Sequence, residues 1–434
     1  MSRVAARPFV AVLCVALALA LLPGLAVGES RGRGVVPVGD SASGGRYAEG
    51  EIIVQFDSGI SVPAAQRRVI ERLGGRIRAS YPRLGGLAVV ELDPGVSVEA
   101  AIETFSADPD VLCAQPNYEY RPAVIPNDEY FARQWSLHNT GHYGTADADI
   151  DAPEAWDIET GSANVVVAVI DTGVDYTHPD LSGNMWVNPG EVPDNGIDDD
   201  HNGYIDDVHG ADMYRGDGNP MDTHGHGTHV AGIVGASGYN GIGVSGVNWD
   251  VSVMALRVLD DRGMMRSSTI IEAIDYARAQ GVKVINCSWG GENPDVMMYN
   301  AMANTPGILY VCAAGNDGID LDGPEDFYPA GWDLPNILTV GWSDQSDEPA
   351  KDSNYGLTSV DVFAPGQSIY STLPWTESPT TRYGYMSGTS MAAPHVAGIA
   401  ALLLADDPSM STTLLKRAIM ASADEKAALE GYCV

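Results

Sequence analysis

The fold is decided by Gly388-Thr389-Ser390-Met391-Ala392-Ala393-Pro394-His395-Val396-Ala397-Gly398. This stretch sets a serine among small residues, directly before an apolar helical run, Ala397 to Ala405. A serine hydroxyl is a poor nucleophile until a base takes its proton. A helix N-terminus helps, because it offers free backbone N–H groups and partial positive charge. Small neighbours leave the hydroxyl open to a bulky carbonyl. On these residues alone Ser390 could equally be an ordinary helix N-cap, so the decision rests on the rest of the chain.

Working outward, Val165 to Ile170 is a continuous apolar run, as expected of a strand buried on both faces. Similar runs are Val251 to Val258, Val282 to Ile285, Ile308 to Ala313 and Ile337 to Val340. Helical patterns lie between some of them, over Gly227 to Ala236, Thr269 to Gln280 and Val296 to Asn304. This alternation predicts an α/β fold, a mostly parallel sheet with helices on both faces. In such sheets ligands sit at the carboxyl ends of strands. Asp171 directly follows the first run, and Asn316 follows the run ending at Ala313. His226 opens a helix in His224-Gly225-His226-Gly227-Thr228-His229. Asp171, His226, Asn316 and Ser390 are therefore expected on one edge.

The chemistry assigns each a role. His226 takes the Ser390 proton and later returns it to the leaving amine. Asp171 fixes the imidazole tautomer and stabilises its charged form. Asn316 and the Ser390 backbone N–H donate to the oxyanion. Other readings are open for each residue. An Asp after a strand often forms a turn, and an Asn after Ala-Gly often adopts the left-handed conformation. The three histidines could gather a cation, but they lack the Glu of a His-Glu-x-x-His helix. Nor is the serine stretch the Gly-x-Ser-x-Gly elbow of the α/β-hydrolases.

Taken together, Asp171-Thr172-Gly173, His226-Gly227-Thr228-His229-Val230-Ala231-Gly232, Gly315-Asn316 and Gly388 to His395 resemble the subtilisin-like serine proteases (subtilases, peptidase family S8), over about residues 130–434. The order Asp, His, Ser is that of subtilisin. The resemblance implies that Ser288, Trp289 and Gly290 pair with the substrate backbone as an added strand. With Ala313, Ala314 and Gly315 they would wall the pocket for the residue before the scissile bond, with Phe327 near its floor. Apolar walls predict a preference for apolar or aromatic side chains. A non-catalytic, calcium-dependent binding protein on the same scaffold is the alternative, and an intact set of four residues argues against it.

The front of the chain differs in texture. Met1 to Ser30 has a basic start, an apolar core from Phe9 to Leu22 and small residues at Ala26-Val27-Gly28, the pattern of a secretory signal. Residues 31–48 read as a linker. Residues 49–122 predict β-α-β-β-α-β, a small α+β ferredoxin-like unit, with a helix over Pro63 to Leu73. Its position resembles the inhibitor I9-like propeptide of subtilases, which implies a self-processing zymogen whose tail, Tyr118 to Asn127, lies in the cleft until cut. Residues 123–434 form the peptidase domain, which stops short of the family's usual final helix. Expected partners are protein or peptide substrates and the chain's own propeptide. A monomer is expected, with no stable membrane insertion after signal cleavage.

The formal net charge is −34, from 58 acids and 24 bases. Residues 1–122 hold 13 of those acids and 12 of the bases, so nearly all the imbalance lies in the body. That argues against nucleic acid, whose phosphates need clustered Lys and Arg, and fits cation binding, a saline habitat or a soluble secreted surface alike. Of the five cysteines none forms a CxxC pair, and Cys287 and Cys312 read as buried thiols. Asp198, Asp200, Asn202, Gly203 and Ile205, with Tyr204 among them, reproduce the start of an EF-hand calcium loop. The glutamate expected at its twelfth position is replaced by His209, and Asp206 and Asp207 are candidates to complete the oxygen shell. A second calcium site follows from the resemblance alone, using Asp180 and the loop of Asn240, Ile242 and Val244, with Gln134 as a further candidate.

Overall fold

The structure, a computed structural model, describes residues 47–56, 67, 70, 71, 73–118, 124–259, 264–375 and 382–434. The expected signal segment, nearly all of the linker and most of the 63–73 helix lie outside the described residues. So do residues 119–123 of the expected cleft tail. The chain divides into two compact units, Met1–Pro122 and Ala123–Val434.

In the first unit β1 (Tyr47–Phe56), β2 (Arg76–Tyr81), β3 (Leu87–Glu91) and β4 (Val111–Tyr118) form one antiparallel sheet in the order β2-β3-β1-β4. Period-2 alternation puts Ile52, Val54 and Phe56 on its buried face. Helix α1 (Val98–Ser106) covers that face with Ile102 and Phe105, and its N-cap Ser97 accepts from the Ala100 N–H at 3.2 Å.

The second unit is built on seven strands in the order β11-β10-β9-β8-β5-β7-β6, all parallel. In chain order its elements are α2 (Ala152–Trp156), β5 (Gly161–Asp171), β6 (Gly210–Asp212), α3 (His226–Gly235) and β7 (Asp250–Arg257). Then come α4 (Ser267–Ala279), β8 (Val284–Cys287), α5 (Val296–Ala303), β9 (Leu309–Ala313), β10 (Ile337–Ser343) and β11 (Val362–Pro365). An antiparallel hairpin, β12 (Ile369–Thr372) and β13 (Tyr383–Met386), leads into α6 (Thr389–Asp406) and α7 (Thr412–Ser422).

Strand β5 shows why both faces are covered. Val165, Val167 and Val169 pack with Val230 and Val234 of α3 and Val396 and Ala400 of α6. Ala168 and Ile170 point the other way, to Ile270 and Ile274 of α4 and Met302 of α5. Each fully buried aliphatic contributes about 1.5–3 kcal/mol, so neither face of the run tolerates exposure. Helix α6 is apolar and long enough for a membrane span but is 72% buried in this core. The apolar run Ala397 to Ala405 is the second half of α6, which begins at Thr389 and carries Pro394 inside it. Past α7 the tail returns to the core, with Tyr432 C=O accepting from Gly356 N–H and Val434 N–H donating to Val360, both at 2.9 Å.

Strand order positions the site. From β5 the chain builds β6 and β7 on one side and β8 to β11 on the other. The switch therefore lies beside β5, which makes the carboxyl ends of β5 and β8 the place where a ligand is expected.

Candidate active site

Asp171 is the last residue of β5 and is fully buried. Its carboxylate meets His226 Nδ1 at 2.8 Å (Oδ1) and 3.0 Å (Oδ2). An ionised carboxylate only accepts, so Nδ1 carries the proton and Nε2 is left as the acceptor. Gly227 makes this approach possible. A Cβ there would lie 2.1 Å from the Gly173 carbonyl oxygen and 3.0 Å from Asp171 Cβ.

The sequence reading missed Asp222. This buried carboxylate caps the turn into α3, with Oδ1 accepting from the His224 and Gly225 N–H groups at 2.8 and 3.0 Å. Oδ2 accepts from the Thr228 N–H and hydroxyl at 3.0 and 2.6 Å. Burial works against a charged His226, but the Asp171 charge and hydrogen bond, helped by Asp222, outweigh it and raise the imidazole above its ordinary value.

Ser390 is the second residue of α6. The N-cap is Gly388, so the Ser390 hydroxyl is not used in capping. It donates to the Ser288 carbonyl at 3.1 Å rather than to His226. Asn316 lies just past β9, and its Oδ1 accepts from the Thr389 N–H at 2.9 Å and the Thr389 hydroxyl at 3.1 Å. That turns its NH2 away from Thr389, leaving it a donor without a hydrogen-bond partner among the described residues, beside the nucleophile's turn. Helix α6 packs on β5, β8 and β9 together, so the four residues share the predicted edge.

Ser288, Trp289 and Gly290 follow β8, and Ala313 ends β9, its neighbour in the sheet, with Ala314 and Gly315 just beyond. Phe327 lies between the two segments. A Cβ on Gly290 would meet the Phe327 ring at 2.2 Å, and one on Gly315 would meet it at 3.1 Å. The ring therefore occupies the space between the two glycines.

The Subtilase family, Peptidase S8, matches residues 162–432, and the Fervidolysin N-terminal prodomain matches residues 35–117. The chain belongs to the subtilase family. It is a subtilisin-like serine endopeptidase with an N-terminal prodomain. It is 37% identical to the Thermophilic serine proteinase of Bacillus sp. (strain AK1) over 383 residues, 88% of this chain and 84% of that protein. It is 38% identical to Thermitase of Thermoactinomyces vulgaris over 302 residues, 69% and 92% of the two chains. A solved protease structure from Pseudoalteromonas arctica PAMC 21717 aligns with a TM-score of 0.57 and 29% identity, covering 72% of this chain and 95% of that one.

Subtilases commonly bind calcium, and this subtilase gathers acids in two places. In the loop, Asp198, Asp200 and Glu191 bring carboxylate oxygens within 4.8 Å of one another, a group that could hold a metal ion. Glu191, before the loop, thus brings a carboxylate to the group, whereas the twelfth position carries His209. Its oxygens accept from the Asp199, Asp200 and Asp206 N–H groups. Asn202 reaches Asp200 and Asp207 at 3.0 and 2.8 Å. Asp206 turns away, accepting from the Asn195 and Gly196 N–H groups at 3.0 and 2.9 Å. The Tyr204 side chain donates to Glu272 at 2.6 Å, while the seventh position of such a loop offers its backbone carbonyl rather than its side chain.

At the second place Asp180 accepts from Asn240 Nδ2 at 2.9 Å and from the Val244 N–H at 2.8 Å, with Ile242 between these two in the same loop. Asp128, also missed from sequence, adjoins it. Burial, with the Asp180 charge nearby, raises the Asp128 carboxyl to about 6. One oxygen accepts from the Tyr239 N–H at 2.8 Å. The other is buried without a partner among the described residues. A buried carboxylate oxygen left so is costly unless a cation answers it, so this donor set fits a hard divalent ion. Gln134 does not join it, because both ends of its amide are engaged by Ser245, at 2.7 and 2.8 Å.

Proposed function

We propose that Ser390, His226, Asp171 and Asn316 are the catalytic residues of a secreted, calcium-stabilised endopeptidase made as a self-processing zymogen. The observation that carries the reading is the two-oxygen grip of Asp171 on His226 Nδ1, beside a serine hydroxyl not committed to helix capping. Substrate pairs as an added strand with Ser288, Trp289 and Gly290 and seats one side chain against Ala313, Ala314, Gly315 and Phe327. The Ser390 oxygen attacks the carbonyl carbon while its proton passes to His226 Nε2. The charge that grows on the carbonyl oxygen meets the Asn316 NH2 and the Ser390 N–H. Collapse expels the amine, which takes the proton from His226, and leaves an acyl-Ser390 ester. Water, deprotonated by the same imidazole, then releases the acid and restores the hydroxyl.

Secretion is supported by the residue pattern of 1–30, and zymogen processing by the prodomain match. Calcium is assigned to Asp128, Asp180, Asn240 and backbone oxygens of residues 242 and 244 at one site. At the other it is assigned to Glu191, Asp198, Asp200, Asn202 and Asp207. The bound ion would hold its loop and neutralise its acids, with no part in bond cleavage.

The test is rapid mixing with a chromogenic ester. The reading expects a burst of about one leaving group per chain and none from Ser390→Ala. A folded, calcium-loaded chain that hydrolyses the ester without a burst, equally well as Ser390→Ala, would overturn it.

A further inference from the structure

A chain of hydrogen bonds outside the reacting groups ends on the backbone of Ser390. Pro394 sits inside α6, where a proline has no N–H for the carbonyl four residues back. That carbonyl belongs to Ser390. It accepts instead from the Ser288 hydroxyl at 2.8 Å, and Ser288 Oγ accepts in turn from Asn286 Nδ2 at 2.9 Å. The link is reciprocal, since Ser390 Oγ donates to the Ser288 carbonyl.

Asn286 is fully buried on β8, in register with Val169 and Val311. A polar amide there contradicts the local pattern of Val284, Ile285 and Cys287, and such conflicts concentrate at functional sites. It lies on the same sheet face as Val284, the face that α6 covers. We propose that Asn286 and Ser288 are positioning residues for Ser390: through the Ser288 hydroxyl they replace the hydrogen bond that Pro394 withholds and fix the first turn of α6. The inference rests on Ser390 being the nucleophile. That turn carries both the attacking oxygen and the Ser390 N–H, so loosening it displaces both. Misplacement on the ångström scale affects the chemical step more than binding.

The experiment compares full-length protein, processed in calcium, as wild type, Ser288→Ala, Ser288→Thr, Asn286→Ala and the double alanine variant. Active sites are counted with a fluorophosphonate, and kcat, KM and the pH profile are taken per titrated site. Ser288→Ala is expected to lower kcat roughly 10- to 100-fold, with KM within about twofold and the acid limb unmoved. Threonine, which keeps the hydroxyl, restores most of kcat. Asn286→Ala loses less, and the double variant loses no more than Ser288→Ala, because the two act in series. An unchanged kcat per site in Ser288→Ala, or losses that multiply in the double variant, overturns the inference. Wild type that takes no label at Ser390 defeats the nucleophile assignment, and this inference with it. Labelled wild type with an indifferent Ser288→Ala defeats the positioning role alone.

Discussion

At the residue scale the site turns on how readily His226 holds a proton. Asp171 and Asp222 raise it despite burial, so neutral base accumulates only above the ordinary histidine value of 6.5. Activity should therefore climb with pH along a limb above 6.5. Asp222→Asn removes one raising charge, so that limb should move to lower pH. A kcat/KM profile of both proteins checks the sign. Asn316→Ala should lower kcat about 100- to 1,000-fold with little change in KM, a range that comes from a subtilisin oxyanion-hole asparagine rather than from this chain. The places of Asp171, His226, Asn316 and Ser390 at strand and helix ends were legible because Asp171 closes a continuous apolar run and the other three stand among small residues. Asp222, Glu191 and Asp128 were not. An aspartate or glutamate in a loop looks alike in sequence whether it is solvated or buried, and only long-range packing turned these three inward.

At the scale of elements, three buried histidines tie segments together. His229 of α3 reaches the carbonyls of Ile369 and Gly384, His395 of α6 reaches Met391 and Ser136, and His178 reaches Arg382. Burial lowers them to about 3, about 4 and about 4. A lowered histidine lets the unfolded chain bind more protons than the folded one. The stability is thus whole above about 6.5 and drains as pH falls toward 4. At pH 5 each should cost about 2 kcal/mol. Denaturant midpoints at pH 7 and pH 5 measure the loss, and His395→Gln should flatten the slope. The strands were legible because a parallel sheet buries both faces and leaves continuous apolar runs. The first turns of α6 show no apolar period, because Pro394 and the small residues before it interrupt it, and packing against β5, β8 and β9 holds them helical. The four strands and the second helix of the first unit also followed from local pattern, while its first helix lies mostly outside the described residues.

At the scale of the whole molecule, the acidic charge of the body bears on the proposed calcium sites. Most of the −34 charge lies in the body, and three of its acids, Glu191, Asp198 and Asp200, gather at one of the two proposed calcium sites. Chelation should lower the thermal midpoint in two steps, and 100-fold calcium over the dissociation constant should return about 2.7 kcal/mol per site. Asp128→Asn should remove one step and Glu191→Gln the other, read by calcium titration against thermal unfolding. The central claim is that Ser390 is an activated nucleophile. Its most direct test is mass spectrometry after fluorophosphonate treatment in calcium, beside a Ser390→Ala variant. The account predicts a single adduct at Ser390, with the chain shortened by prosegment release only when Ser390 is present. A folded chain that takes no label there, or that is shortened equally in the Ser390→Ala variant, would contradict it.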